Sequence, residues 1–268
     1  MDQKIPIQLR IMSCNIRFQN PNDGDNDWPY RKDFVADILK KRAPDIFGTQ
    51  EGLKNQLLSL NNLLSEYEMV VSHREWINER MYPTIFIKKD RFQIRKSGDI
   101  WLSETPDLPG SSSFDSAFPR LCTYVEVEDS YRNNERLVFI NCHLDHVLET
   151  TREKQITVLC KEILKIFKEN SNFLLVGDFN SPPNESVRKK ISEFLPKLND
   201  PWLDLQKPEE CTFHKFDGKD PYGSKFRIDW TLHSSVFSAI NTESITEHRN
   251  GQYPSDHFFI DTILQYKE

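Results

Sequence analysis

Short strand-like runs alternate with amphipathic helical segments along the whole chain, and this alternation constrains the fold more than any other feature of the sequence. Ile7–Cys14, with the sequence IQLRIMSC, alternates apolar and polar residues as a strand does. Trp28–Arg42 instead has its apolar residues on one helical face, and Pro44 favours the end of that helix. Strands outnumber helices in both halves, which predicts an α/β sandwich with largely antiparallel sheets.

The same criteria predict the remaining elements. Further strands are predicted at Asp45–Thr49, Tyr67–Ser72, Pro83–Lys88, Phe92–Leu102, Leu121–Glu128, Arg136–Leu144, Phe173–Gly177, Phe226–His233 and Phe258–Leu264. Further helices are predicted at Leu53–Leu64 and Glu149–Phe167, with a loop rich in Pro, Gly and Ser at Ser103–Phe118. The sequence has no internal repeat and no long linker, and both of its ends supply strands. We therefore predict a single domain over residues 1–268.

Composition and charge exclude several classes of protein. Hydrophobic residues make up 37% of the 268 residues, which is enough for a core and excludes bulk disorder. The formal net charge of −6 argues against a broad basic surface for duplex DNA. No apolar run reaches the roughly 18 residues of a membrane span. The sequence also lacks a signal peptide and a disulfide-like or zinc-like spacing of its five cysteines, so we expect a cytoplasmic protein with free thiols.

Polar side chains suited to catalysis recur beside the ends of the predicted strands. They are Asn15, Glu51, His143, Asp145, Asp178, Asn180, Asp229, Asp256 and His257. Strand ends are rigid positions from which a scaffold can present catalytic groups. Because the set is rich in oxygen donors and has no thiolate, it suits Mg²⁺ or Mn²⁺ better than zinc. A phosphate ester is the natural substrate of such a site, and the imidazoles supply donors or acid and base groups.

The order of the motifs along the chain resembles one known family. TQEG at 49–52, NCHLDH at 141–146, GDFN at 177–180, RIDW at 227–230 and SDH at 255–257 resemble the endonuclease/exonuclease/phosphatase superfamily, which includes deoxyribonuclease I. CNIRF at 14–18 and DWPYR at 27–31 are similar to a bacterial branch of metal-dependent hydrolases. The resemblance covers about Arg10 to Ile263. It implies a deoxyribonuclease I-like four-layer sandwich, in which two stacked mixed, largely antiparallel β-sheets are flanked by helices.

The resemblance also implies the roles of residues around a metal. Glu51 would be the main carboxylate ligand of Mg²⁺, with Mn²⁺ as the alternative ion. Asn15 and Asp256 would lie beside that metal. Asp178 and Asn180 would hold the attacking water and the scissile phosphate.

The imidazoles have implied partners. His257 would contact a phosphate oxygen or transfer a proton, oriented by Asp229. Whether Asp178 or His257 is the general base stays open. His143 would be held by Glu79, whose alternative reading is a solvated loop charge.

Three further residues are candidates for substrate binding. Arg120 resembles a phosphate-contacting arginine of the nucleases, the alternative being an ordinary surface arginine. Asp145 lies two residues beyond His143, so on an extended segment both side chains point the same way and we expect Asp145 in the site. His214 in the string TFHKF would line the site or be structural. One departure is Leu53, since the nuclease branch carries an arginine there.

These features predict a Mg²⁺-dependent phosphoesterase that hydrolyses its substrate by in-line attack of an activated water. A nuclease-like phosphodiesterase is the first interpretation, acting on a nucleic acid end or single strand or on a small phosphorylated metabolite. The alternative is a phosphomonoesterase of a sugar, inositol or coenzyme phosphate. A non-catalytic binding module of the same fold would be expected to have lost metal and histidine positions, yet all are present. No protein partner is predicted.

Overall fold

The computed structural model describes residues 7–267 and contains the expected alternation of strands and helices. In chain order the strands are β1 (Gln8–Asn15), β2 (Ile46–Gly52), β3 (Tyr67–Met69), β4 (Tyr82–Lys88), β5 (Phe92–Trp101), β6 (Leu121–Asp129), β7 (Glu135–His143), β8 (Phe173–Asp178), β9 (Leu198–Asn199), β10 (Asp229–Ser234), β11 (Phe237–Ile245) and β12 (Phe259–Tyr266). The α-helices are α1 (Trp28–Arg42), α2 (Lys54–Leu63), α3 (Glu149–Ile166), α4 (Ser186–Phe194) and α5 (Pro201–Asp204).

The strands form two six-stranded mixed sheets, which confirms the predicted fold class. One sheet has the order β11-β12-β1-β2-β4-β3 and the other the order β5-β6-β7-β8-β10-β9. Most neighbouring strands are antiparallel, whereas β1 pairs with β2 and β7 pairs with β8 in parallel. Parallel neighbours need a crossover connection, and α1 and α3 supply it in the two sheets.

Three apolar layers hold the sandwich together. The middle layer lies between the sheets and contains Ile11 from β1 with Phe139 from β7. An outer layer packs α1 and α2 on the first sheet, and the other packs α3 and α4 on the second sheet. Since helices cover both outer faces, β1 is buried on its two sides, with Ile11 facing the middle layer and Met12 facing the helices.

Local signals define the helix that follows β1. Asp27 caps α1, because its carboxylate accepts the backbone N–H of Trp28 at 2.7 Å. Ala43 ends the helix in a left-handed conformation, with a φ of 48°, just before Pro44. Basic residues in the last turn complement the helix dipole.

The predicted boundaries differ from the structure in a few places. The strand predicted at Phe226–His233 begins at Asp229, and the strand predicted at Tyr67–Ser72 ends at Met69. Helix α4 and strand β11 were not predicted. Across residues 7–267, the helices are all too short or too polar to cross a bilayer.

Candidate active site

Strand register brings the predicted polar residues to one edge of the sandwich. In the parallel pair of β7 and β8, His143 lies opposite Asp178. On the other side of β8, antiparallel β10 places Asp229 opposite the same Asp178. In the first sheet, the parallel pair of β1 and β2 sets Asn15 opposite Gln50, next to Glu51. Asp178 therefore lies at the centre of a row of polar side chains that the pairing of the strands fixes.

A cavity of about 420 Å³ opens at this edge. It is lined by many of the residues that sequence reasoning had singled out, namely Glu51, Arg120, His143, Asp178, Asn180, Asp256 and His257. Asn15 and Asp229 lie directly behind them and bond to residues of the lining. The structure therefore brings most of the candidate residues together around one space.

Asn15 joins the two sheets beneath the cavity. Its side-chain Nδ2 donates to Glu51 Oε1 at 3.1 Å and to Asp178 Oδ2 at 2.9 Å. Its Oδ1 accepts the backbone N–H of Arg17 at 3.0 Å, which fixes the orientation of the amide. The Ser255 hydroxyl donates to the Asn15 carbonyl at 2.6 Å and ties the SDH segment to the same strand end.

The carboxylates of the cavity are crowded, and the guanidinium nearest to them, that of Arg17, reaches Glu51 and Asp256 only at 4.0 and 3.9 Å. Ligand atoms of Glu51, Asp178 and His257 all lie within 4.8 Å of one another. Burial, together with repulsion from Asp229, raises the pKa of Asp178 to about 7. Burial likewise raises the pKa of Asp256, with repulsion from Glu51 adding to it. Hard oxygen donors with partly compensated negative charge fit a divalent cation such as Mg²⁺ or Mn²⁺.

The pKa values of the two imidazoles beside Asp178 are shifted in opposite directions. His257 Nδ1 donates to Asp229 Oδ2 at 2.8 Å, and His257 Nε2 lies 3.9 Å from Asp178 Oδ2. Burial disfavours the charged ring, but the charge of Asp229 outweighs it and raises the pKa of His257 well above its usual value. For His143, whose Nε2 is 3.4 Å from Asp178 Oδ2, burial and the nearby Arg120 charge lower the pKa well below its usual value. The structure thus favours a charged and a neutral imidazole in one site.

Arg120 contributes a buried positive charge. The residue is 6% exposed and borders the cavity. Within residues 7–267 no carboxylate forms an ion pair with its guanidinium, whose Nε has no hydrogen-bond partner and whose Nη2 lies 3.3 Å from His146 Nδ1. Burial accordingly lowers the pKa of Arg120. A buried arginine without a carboxylate partner is suited to bind an anion such as a phosphate.

Asn180 is held close to Asp178 by backbone geometry. Its N–H donates to Asp178 Oδ1 at 2.9 Å, and its side-chain Nδ2 donates to the Leu144 carbonyl at 3.0 Å. These bonds leave the Asn180 side-chain oxygen as an acceptor beside the cavity. Asn180 has a φ of 48°, a left-handed conformation that asparagine tolerates better than most residues.

The structure places three expected site residues elsewhere. The pairing of Glu79 with His143 is absent from residues 7–267, because Glu79 is exposed in the loop before β4 and His143 faces Asp178 instead. Asp145 is buried outside the cavity lining, where it accepts the backbone N–H groups of Ala117 and Val147, each at 2.8 Å. Strand β7 ends at His143, so the extended geometry expected for Asp145 does not continue to it.

His214 likewise lies behind the cavity rather than in its lining. Its ring stacks on Phe258 with centroids 4.0 Å apart, and its Nδ1 accepts the Gly218 N–H at 3.1 Å. Burial lowers the pKa of His214 to about 4. These contacts agree with the second of the two expectations for His214, a structural role.

Arg17 was not singled out in the sequence, and Arg31, which could have framed the mouth of the cleft, is instead buried. Arg17 lines the cavity, forms paired bonds to Asp23 at 2.9 and 3.0 Å, and approaches Asp256 at 3.9 Å. Arg31 is fully buried and donates to backbone carbonyls of Ile16, of Arg17 at 2.7 Å and of Pro254 at 3.0 Å. Both lie in the strings CNIRF and DWPYR, which carried the resemblance but suggested no contact.

Comparisons with known proteins agree with this geometry. Residues 12–257 match the family model described as the Endonuclease/Exonuclease/phosphatase family. A crystal structure of a protein of that family from Bacteroides thetaiotaomicron superposes with a TM-score of 0.86 at 27% identity, covering 99% of this chain and 100% of that chain. A mannosyl-6-phosphatase from the same species superposes with a TM-score of 0.84 at 26% identity, covering 96% of this chain and 99% of that chain.

A curated relative extends the comparison to nucleases. The probable CCR4-Not complex 3'-5'-exoribonuclease subunit Ccr4 of Vairimorpha ceranae is 27% identical over 175 residues. The match covers 54% of this chain and 35% of that protein, so the chain spans about a third of its length.

Proposed function

Because the chain belongs to the endonuclease/exonuclease/phosphatase family, we propose that it is a metal-dependent phosphoesterase, and specifically a phosphodiesterase. One observation supports this most strongly. The same cavity contains two carboxylates and an imidazole, those of Glu51, Asp178 and His257, whose ligand atoms lie within 4.8 Å of one another, and a buried guanidinium without a carboxylate partner in residues 7–267. A phosphoester with its cation is a ligand that satisfies both groups.

The proposed cation is Mg²⁺, with Mn²⁺ as the alternative. Glu51 would hold it, with Asn15 and Asp256 beside it. When bound, such an ion stabilises charge on phosphoryl oxygens.

The protein's own side chains would position and activate the water. Asp178 accepts hydrogen bonds from Asn15 and Asn180 that fix its carboxylate, and its raised pKa of about 7 suits a general base at neutral pH. Asn180 offers a side-chain oxygen to the same water. The charged His257 would donate from Nε2 to a phosphate oxygen, with Asp229 fixing the tautomer. Neutral His143 and charged Arg120 would bind the remaining phosphate oxygens.

Two substrate classes follow from different observations. The net charge of −6 favours a small or single-stranded substrate over duplex DNA, and the exoribonuclease among the relatives supports a nucleic acid end. A phosphomonoesterase is the second candidate, supported by the likeness to the mannosyl-6-phosphatase. Five free cysteines fit a reducing compartment such as the cytoplasm.

Parallel hydrolysis of bis-p-nitrophenyl phosphate and p-nitrophenyl phosphate tests the proposal. We expect cleavage of the diester with Mg²⁺ or Mn²⁺ and none with EDTA. Glu51→Gln should abolish the reaction, whereas Glu104→Gln, at an exposed position outside the cavity, should not change it. Preference for the monoester would favour the second candidate, and turnover that survives both EDTA and Glu51→Gln would contradict a metal-dependent site.

A further inference from the structure

A second cavity of about 340 Å³ opens directly beside the catalytic cavity. The two share a wall made by Phe18, Glu51, Met81, Phe118, Arg120 and His143. Beyond that wall the second cavity is bounded by Leu53, Pro83, Pro119 and Leu121, and we refer to it as the side chamber. A group attached to a phosphate held by Arg120 and His143 therefore has a continuous path into the side chamber.

The side chamber is predominantly apolar. Of the residues that line it alone, four are apolar (Leu53, Pro83, Pro119 and Leu121) and three are polar (Gln19, Glu79 and Arg80). Phe18, Met81 and Phe118 add apolar surface from the shared wall. Proline has no N–H to offer, and the Leu53 N–H already donates to Gln56 Oε1. A hydroxyl-rich sugar would lose its bonds to water here and regain few, whereas an apolar or aromatic ring would gain from burial.

The polar groups of the side chamber could form hydrogen bonds with the edge of an aromatic ring. The Gln19 N–H donates to Gln56 Oε1 at 3.1 Å, while the Gln19 side-chain amide has no hydrogen-bond partner within residues 7–267. That amide offers a donor and an acceptor in one plane. Phe118 is 45% exposed between the cavities and presents an aromatic ring to a ligand. Glu79 and Arg80 also border the chamber.

We propose that the side chamber binds an aromatic ring carried by the phosphoester, while Arg120 and His143 hold the phosphate at the shared wall. This inference rests on the proposed function and specifies its substrate class. Both a nucleobase and a simple aryl group would supply such a ring. A sugar phosphate is a poorer match, since the polar side chains of Gln19, Glu79 and Arg80 lie among a lining that is otherwise apolar.

Calorimetric titration of the protein with phosphonates, which are not hydrolysed, tests the side chamber in the presence of Mg²⁺. The probes are methylphosphonate, benzylphosphonate, the 5′-phosphonate of adenosine and the 6-phosphonate of glucose. We expect benzylphosphonate to bind about tenfold tighter than methylphosphonate, because its ring is buried, and the glucose compound to bind no tighter than methylphosphonate. Adenosine phosphonate binding above benzylphosphonate, and weakened by Gln19→Leu, would identify a nucleobase. Equal affinities for benzylphosphonate and the adenosine phosphonate would identify a simple aryl group.

Leu53→Asn provides the matched variant. Leu53 is the N-cap residue of α2, and asparagine is a favoured N-cap, so the substitution changes the chamber without penalising the helix. It should reduce the preference for benzylphosphonate over methylphosphonate to about twofold or less. Leu58→Asn, at a leucine of α2 that is 41% exposed and lies outside both cavities, should leave the preference intact.

The outcomes separate the two proposals. The proposal that the side chamber binds a ring would be overturned by any of three results, even if diesters are cleaved. These are equal binding of the methyl and benzyl compounds, absence of binding, and a preference for the benzyl compound that survives Leu53→Asn. A preference for the ring in a protein that cleaves neither p-nitrophenyl ester with any metal would support the chamber and count against the proposed function.

Discussion

Two buried clusters of charge in this molecule differ in how their charges are satisfied. Between the sheets, Asp99 accepts paired bonds from Arg74 at 2.8 and 2.9 Å and another from Thr123 at 2.6 Å. Burial alone would raise the pKa of Asp99, but the Arg74 charge outweighs it and holds that pKa below its usual range. Arg74 also donates to Thr84 Oγ1 at 2.7 Å. This interior cluster, made of Arg74, Asp99, Thr84 and Thr123, is complete without a ligand.

The catalytic cavity is built in the opposite way. Burial raises the pKa of Asp178 to about 7, and Arg120 has no carboxylate partner in the described part of the chain. The same sandwich thus pairs its charges closely where they hold the sheets together and leaves them only partly compensated where a metal and a phosphate would complete them. Buried charge without a partner is costly, which makes a binding role for these groups the simplest explanation.

Asp178→Asn should have the largest effect and should separate activity from stability. Removing a general base costs about 10² to 10⁴ in rate, so we expect kcat/KM on bis-p-nitrophenyl phosphate to fall by that factor. The free energy of unfolding in urea should stay the same or rise in EDTA, because an uncompensated buried charge is removed. Asp107→Asn, an exposed control, should change neither quantity. Near-normal turnover of Asp178→Asn would remove Asp178 from the proposed mechanism.

Arg74→Met, in the interior cluster, should instead lower the stability of the protein. It leaves Asp99, which is largely buried, with His73 Nε2 at 3.2 Å as its remaining basic neighbour, and breaking a buried pair costs about 3–5 kcal/mol. Urea denaturation measures this loss directly. The double variant Arg74→Met with Asp99→Asn should recover part of it, since the unpaired charge is then absent. A loss below about 1 kcal/mol, the range of exposed ion pairs, would contradict the contrast between the clusters.

Arg31→Lys should have an intermediate effect on activity. Arg31 bonds backbone carbonyls on both sides of the cavity, including those of Arg17 and Pro254, and so positions Asn15 and Asp256. Lysine keeps the charge but cannot make the same set of bonds, and small misplacements at a site cost up to about 10² in rate. We expect kcat to fall about tenfold with little change in KM, and an unchanged kcat would assign Arg31 to stability alone.

The smallest effect concerns the pH dependence of stability in EDTA. The folded pKa of Asp99 is below its unfolded value of about 3.9, so its contribution is present above that pH and lost on acidification. The folded pKa of Asp178, about 7, is above its unfolded value, so stability falls as pH rises through this range. Asp99→Asn should therefore flatten the acid limb of the stability curve, and Asp178→Asn the limb from about pH 4 to 7. Urea denaturation across pH measures the free energy of unfolding on both limbs. If the two variants showed the same dependence on pH, the opposite pKa shifts of Asp99 and Asp178 would be contradicted.

Much of the fold was predictable because burial leaves a periodic signal. Strand β7 and helix α3 appear in the sequence as an apolar strand and an amphipathic helix. Strand β11 was missed because it is a half-exposed edge strand with a polar sequence. Helix α4 was missed because SVRKKISEF buries only Val187 and Ile191 and is otherwise polar.

The site shows a similar division. Glu51, Asp178 and His257 were found because they flank strand ends in recognisable motifs. The contacts of Arg31 were not predicted because its partners are backbone carbonyls, which no residue type encodes. No hydrogen bond joins Glu79 to His143 among residues 7–267, and strand register could not predict this pairing because Glu79 lies in a loop.

Calorimetric titration of the protein with Mg²⁺, repeated with Mn²⁺, tests most directly whether the carboxylates of the cavity form a metal site. The structure predicts saturable binding to the wild type that Glu51→Gln eliminates and Glu104→Gln preserves. Absence of binding to the wild type, or binding of the same affinity to Glu51→Gln, would contradict the proposal that the carboxylates of the cavity hold a cation.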